Sequence, residues 1–281
     1  MRFRPIAIMA AIAASFVSSA SVSAGPESFN QPKHYYLALG DSLAFGYQQA
    51  KFNAEAAAGG VDATTFNTGY VDDFGAKLRA VKHPTRTVNF GCPGETTASY
   101  FTACSWHAVG GLPLHDTYSG SQESAALAFI GDHRNQVSPI TLDLGANDTT
   151  PCFTSPDPAC VANALARVGA NLDRALGELR AAAPNAEIIV MTYYDPYAAV
   201  APQSLAITHA LNNAITTAAA AHGVRVADAF TPINLGQPQP ATLCALTLVC
   251  TALHDIHASD AGYAVIAQQF WAASDYSRLG H

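Results

Sequence analysis

Apolar and polar residues follow two different periods along this chain. Short apolar runs at 35–39, 87–90, 140–144, 188–192 and 224–227 are rich in Val, Ile, Leu and Tyr, and the first three stop at Gly40, Gly91 and Gly145. Runs of that length with those stops predict buried β-strands. Between them the spacing changes to three and four. Val161, Leu165, Val168, Leu172, Leu176 and Leu179 step along 159–183 until Pro184, predicting one long amphipathic helix. Shorter helices are predicted from Tyr70, Phe74 and Leu78, from 127–130, from 205–221, and from a last segment opening at Ser259 with Val265, Ile266 and Phe270. Strands alternating with helices predict a three-layer α/β/α, flavodoxin-like fold whose five-stranded parallel sheet is covered on both faces. Two stretches, 91–122 and 231–257, show neither period. Loops of that length in a compact domain are usually functional, and in open α/β sheets the ligand crevice lies beyond the carboxyl ends of the strands.

The amino terminus has a different pattern. Arg2 and Arg4 precede an apolar run over 6–17 and small residues ending Val22-Ser23-Ala24. That run is short of the roughly 20 residues a spanning helix needs, and the ending suits signal peptidase. The expectation is a cleaved signal peptide over 1–24, a single domain over 25–281, and a secreted or periplasmic protein. No later segment is long and apolar enough to span a membrane.

Composition narrows the function classes. Of 281 residues, 49% are hydrophobic and 12% charged, and the formal charge is −7 without a Lys/Arg cluster. Phosphate-backbone binding needs a concentrated basic face, so nucleic acid is not the expected partner. Six cysteines fall as close neighbours, Cys92 with Cys104, Cys152 with Cys160, and Cys244 with Cys250. Sequential disulfides closing short loops are the simplest pairing, in keeping with an oxidising compartment. No CxxC knuckle or H-E-x-x-H pattern is present, so neither a metal nor a cofactor is expected.

Chemistry gathers where the predicted strands end. The first runs into Gly40-Asp41-Ser42-Leu43, where a serine on a sharp turn can expose its hydroxyl. The second runs into Gly91-Cys92-Pro93-Gly94-Glu95-Thr96-Thr97, and the third into Gly145-Ala146-Asn147-Asp148. Near the carboxyl end comes His254-Asp255-Ile256-His257, ahead of Ser259 and Asp260, which suit a helix cap. Asp41 suits a local turn, as does Asp148. Tyr193, Tyr194 and Tyr197 follow the fourth strand, where lining an acyl pocket and packing under a loop are equal alternatives.

These four blocks, in this order and across 36–271, resemble those of the GDSL, or SGNH, hydrolase family of esterases and lipases, in its secreted bacterial branch. The resemblance implies the SGNH hydrolase fold and a carboxylic-ester hydrolase acting through a serine acyl-enzyme. It implies Ser42 as nucleophile, His257 as base, and an oxyanion hole from Ser42, Gly94 and Asn147. The expected substrate is a small-molecule or lipid ester, taken by a monomer. Carbohydrate O-deacetylase or phospholipase activity would use the same residues, and a catalytically silent ligand-binding module is the alternative from another class. One position departs from the family pattern. An Asp commonly stands three residues before the histidine, where this chain has His254, and Asp255 stands only two before. Either Asp255 orients the imidazole from a shifted turn, or a backbone carbonyl does.

Overall fold

A computed structural model of the chain describes residues 29–280 apart from 82, 83, 154 and 156. The expected signal peptide lies outside the described residues. In chain order the elements are β1 (Tyr35–Gly40), α1 (Ser42–Phe45), α2 (Gln49–Ala57), α3 (Tyr70–Ala80), β2 (Arg86–Asn89), α4 (Ser105–Gly110), α5 (Gln122–Asp132), β3 (Val137–Asp143), α6 (Ala146–Thr149), α7 (Cys160–Ala182), β4 (Ile188–Thr192), α8 (Ser204–Ala221), β5 (Arg225–Asp228), α9 (Ala241–Leu246) and α10 (Asp260–Ala273).

The five strands form one parallel sheet in the order β2-β1-β3-β4-β5. Leu37 of β1 pairs with Val88 on one side and Ile140 on the other, and Val190 of β4 pairs with Leu142 and Val226. Right-handed crossovers place the helix that connects β1 to β2 on the opposite face from those that connect β2, β3, β4 and β5 in turn, because the strand order reverses at β1, and the last helix, which connects no further strand, joins the first face. Accordingly α3 packs with α10, whereas α7 packs with both α5 and α8. Both faces are covered, so β3 and β4 are buried along their whole length, as the predicted fold class requires.

The long helix α7 buries Ala164, Val168, Leu172, Ala175, Leu176 and Leu179. Full burial of one Val or Leu contributes about 1.5–3 kcal/mol, so this stripe ties the helix to the sheet. Its first turn is only partly buried, and Val161 and Leu165 are not fully covered. Helix α2 has no counterpart among the predicted elements. It buries no residue, so it carries no apolar stripe for periodicity to detect. The two stretches without a period contain α4 and α9, helices of six residues each, too short to display one.

Disulfides close three loops, Cys92–Cys104, Cys152–Cys160 and Cys244–Cys250, with Cα separations of 5.9, 5.5 and 5.2 Å. The first is buried in a small second core with Phe45, Tyr47, Phe66 and Leu114, which packs the 91–122 stretch beside α1.

Candidate active site

β1 and β3 are neighbours whose following helices depart from opposite sides of the sheet, and a crevice opens at their carboxyl ends. Ser42 is the first residue of α1, directly beyond β1. Gly40 turns the chain at φ +143°, and a Cβ there would lie 1.4 Å from Asp143 Oδ1, so this position needs glycine for both its backbone and its space. The Asp41 N–H donates to Asp143 Oδ1 at 3.0 Å, while Asp41 Oδ1 accepts the Leu43 N–H at 2.9 Å. Asp41 thus caps α1, as its turn position suggests, but it also reaches far along the chain: its Oδ2 accepts the Tyr193 hydroxyl at 2.7 Å.

The histidine approaches from the other end of the sequence. His257 Nε2 lies 2.9 Å from Ser42 Oγ, and His257 Nδ1 lies 2.5 Å from Asp255 Oδ1. With Nδ1–H donated to the carboxylate, Nε2 is left to accept the serine proton. Asp255 Oδ1 also accepts the His257 N–H at 3.2 Å, and Oδ2 accepts the Gln49 N–H, the first of α2, at 2.7 Å. Burial alone would raise this carboxyl, but the hydrogen bonds and charge of His257 and the backbone donors outweigh it and hold Asp255 below the usual range. His254 adopts the left-handed region at φ +48° and turns outward, its Nδ1 3.1 Å from Val249 O. The histidine at the family's acid position thus leaves the site, and the following residue enters it.

The segment after α1 fixes the histidine loop. The Gln48 amide donates to Ala258 O at 3.0 Å and to Asp260 Oδ1 at 2.9 Å, and the Tyr263 hydroxyl donates to Tyr47 O at 2.8 Å. The Tyr47 ring lies 4.8 Å from the His257 ring. On the far side, Leu248 N–H donates to His257 O at 2.9 Å within the loop closed by Cys244–Cys250.

The remaining two blocks meet on the opposite side of Ser42. Gly94 takes φ +82°, a left-handed conformation, and a Cβ there would meet only open space. Among the described residues, no backbone or side-chain acceptor bonds its N–H or that of Ser42. The Asn147 amide donates to Glu95 O at 2.9 Å and lies 3.5 Å from Asp41 Oδ2. Asp148 has more than the local role its turn position suggests: its carboxylate accepts the Thr97 N–H and hydroxyl, both at 2.8 Å, and so joins the third block to the second.

Beside Ser42 and His257 a cleft of about 610 Å³, open to solvent, is walled by Tyr193, Tyr194, Tyr197, Leu211 and Phe153. All three tyrosines border it, while Tyr193 and Tyr194 are also anchored by their hydroxyls, to Asp41 and to Ile256 O. Beneath Ser42 lie buried acids. Burial pushes Asp41 up to about 6 and Glu95 up to about 7, and burial with the neighbouring Asp41 charge holds Asp143 well above the usual range. Among the described residues, three potential metal-ligating groups come together only at Cys92, Glu95 and Cys104, where the sulfurs are bonded to each other.

Sequence reasoning passed over Gln48, Gln122 and Asp143. Gln122 and Gln48 lie outside any motif and carried no signal. Asp143 did carry one: an acid inside an apolar run that reads as a central strand needs a buried partner.

Three comparisons bear on this arrangement. The GDSL-like Lipase/Acylhydrolase family profile matches residues 38–265. Solved structures with the same fold include a lipase from a goat rumen metagenome (TM-score 0.59, 16% identity, 87% of this chain and 99% of that one) and an α/β hydrolase from the metagenome of Lake Arreo, Spain (0.55, 20%, 88% and 97%). A third is an acetylxylan esterase from Geobacillus stearothermophilus (0.57, 19%, 88% and 96%). No curated protein matches the sequence. Because the profile spans the strand ends that carry the serine, glycine, asparagine and histidine blocks, and the sheet has the fold of these esterases and lipases, the chain belongs to the GDSL-like lipase/acylhydrolase family and is an ester hydrolase of that type.

Proposed function

We propose that this chain is an exported serine carboxylesterase that acts as a monomer on a small-molecule or lipid ester. Ser42 Oγ attacks the acyl carbon while His257 Nε2 takes its proton, and Asp255 holds the imidazole and offsets the charge it gains. The negative charge that develops on the carbonyl oxygen is met by the N–H groups of Ser42 and Gly94 and by the Asn147 amide, donors already fixed by the turns that carry them. His257 then returns the proton to the departing alcohol, and water activated by the same imidazole releases the acid.

The unbroken chain from Ser42 Oγ through His257 to Asp255, at 2.9 and 2.5 Å, is the observation that carries this reading. The test is labelling with a serine-directed phosphonate. Stoichiometric modification of Ser42, with turnover abolished in a folded Ser42→Ala variant, is the expected result; label on another serine with activity kept in Ser42→Ala would refute the reading. Export rests on the 1–24 segment and on three disulfides suited to an oxidising compartment. An amino terminus at residue 25 in the exported protein is expected, and an intact 1–24 segment would count against cleavage.

A further inference from the structure

Two fully buried side chains, Glu95 and Gln122, stand behind the site without bordering the cleft. Gln122, the first residue of α5, grips the end of β1 with both ends of its amide. Its Oε1 accepts the Gly40 N–H at 2.6 Å, and its Nε2 donates to Gly40 O at 3.0 Å and to Glu95 Oε2 at 3.2 Å. The other Glu95 oxygen accepts the Ser99 hydroxyl, and the Glu95 backbone carbonyl accepts the Asn147 amide at 2.9 Å. A single connected set of hydrogen bonds therefore runs from the turn before Ser42 to the residue after Gly94 and on to Asn147.

Burying a carboxyl is costly, and here burial displaces Glu95 toward neutral pH, with the Asp41 charge adding to the effect. Tyr100 and Tyr118 also face it. The reaction as read above makes no use of this carboxyl. Its hydrogen bonds instead connect the parts whose mutual distance decides catalysis: the nucleophile at the start of α1, just beyond β1, and two oxyanion donors that follow the ends of β2 and β3. An error of about 1 Å in such placement can cost about a hundredfold in rate.

We propose that Glu95 and Gln122 are positioning residues that fasten the oxyanion loop to the nucleophile turn. The inference rests on the serine-esterase reading and concerns the transition state, in which the donors must converge on one oxygen, more than ground-state binding.

Glu95→Ala, Glu95→Gln, Gln122→Met and Ser42→Ala are assayed together on a soluble ester, with folding checked by circular dichroism. Positioning predicts that Glu95→Ala and Gln122→Met lose about 10- to 100-fold in kcat with KM changed by less than about threefold. Glu95→Gln can still accept from Gln122 and meet Ser99, so it should stay within about threefold of wild type. A folded Glu95→Ala or Gln122→Met with kcat within about threefold of wild type overturns the proposal, as does a loss carried by KM. If Glu95→Ala fails to fold, Gln122→Met set against Glu95→Gln decides in the same way. Turnover retained in Ser42→Ala removes the serine reading itself, whereas a dead Ser42→Ala beside a fully active Gln122→Met removes only this inference.

Discussion

Single side chains at this site have separable tasks. Asn147 directs one amide hydrogen at Glu95 O at 2.9 Å, and its only other acceptor among the described residues is Asp41 Oδ2 at 3.5 Å, a long contact that a substrate oxygen would replace in the proposed reaction. Asn147→Ala should therefore lower kcat by about 10²–10³, the usual effect of losing one oxyanion donor, with the fold preserved; a loss below about tenfold in steady-state kinetics would reduce Asn147 to a turn residue. Asp255 is the harder case, because it sits one residue from the family position. Both its oxygens are occupied, one by His257 and one by the Gln49 N–H at the start of α2, where the helix terminus favours negative charge. Asp255→Asn keeps the shape but leaves no full charge to balance the imidazolium, so kcat should fall by about 10²–10⁴. A variant within about fivefold of wild type would indicate a Ser42–His257 pair oriented by backbone alone.

At the scale of elements, the histidine sits on a loop and not on a rigid strand or helix. That loop is held by the Thr247–Ala258 bridge, the Leu248 to His257 backbone hydrogen bond, and the cap of α10, where Ser259 Oγ accepts the Gly262 N–H at 3.2 Å. The Cys244–Cys250 disulfide closes its upstream end. In the chain-entropy picture so small a ring contributes about 2 kcal/mol. The double variant Cys244→Ser/Cys250→Ser should therefore loosen the His257 segment before the sheet: on heating, activity should be lost at a lower temperature than far-ultraviolet circular dichroism, whereas in wild type the two should coincide. Coincident transitions in the variant, at the wild-type temperature, would show that the loop is held without the disulfide.

The whole molecule carries a pH dependence set by its buried acids. Asp41 and Glu95 titrate near 6 and 7 in the folded chain, against ordinary values of 3.8 and 4.5, and Asp143 is raised as well. Between about pH 4 and 7 the folded state thus holds more protons than the unfolded one, and by linkage stability falls as pH rises through that window. Asp255 acts in the opposite sense, its contribution being lost only below the ordinary carboxylate range. Thermal unfolding should therefore give a higher Tm at pH 5 than at pH 8. Glu95→Gln should narrow that difference by raising the Tm at pH 8 by at least about 2 °C. A wild-type Tm that climbs steadily from pH 5 to pH 8 would contradict this account.

Much of this was legible before folding. Period decides which segments are strands and which helices, since burial on a sheet or along a helix face demands it. β4 was bounded to the residue by its apolar run, and the long helix to within one residue at each end. The GDSL-type blocks brought Ser42, Gly94, Asn147 and His257 forward as candidates, because local turns with fixed chemistry leave fixed residues in sequence. What the sequence could not determine were relations between distant segments. Nothing in Gln49 announces that its N–H meets Asp255, or in Gln122 that it brackets Gly40, because a polar group at the start of a helix looks the same in sequence whether it faces water or a partner far along the chain. The same holds for the acid beside His257. His254 turns outward into the left-handed region, its N–H on Thr251 O and its ring beside Val249 O, while Asp255 turns inward to His257 and to the Gln49 N–H across the fold. Hydrophobic periodicity is a property of neighbours along the chain, whereas hydrogen-bond partnership across the sheet edge exists only once the sheet has closed.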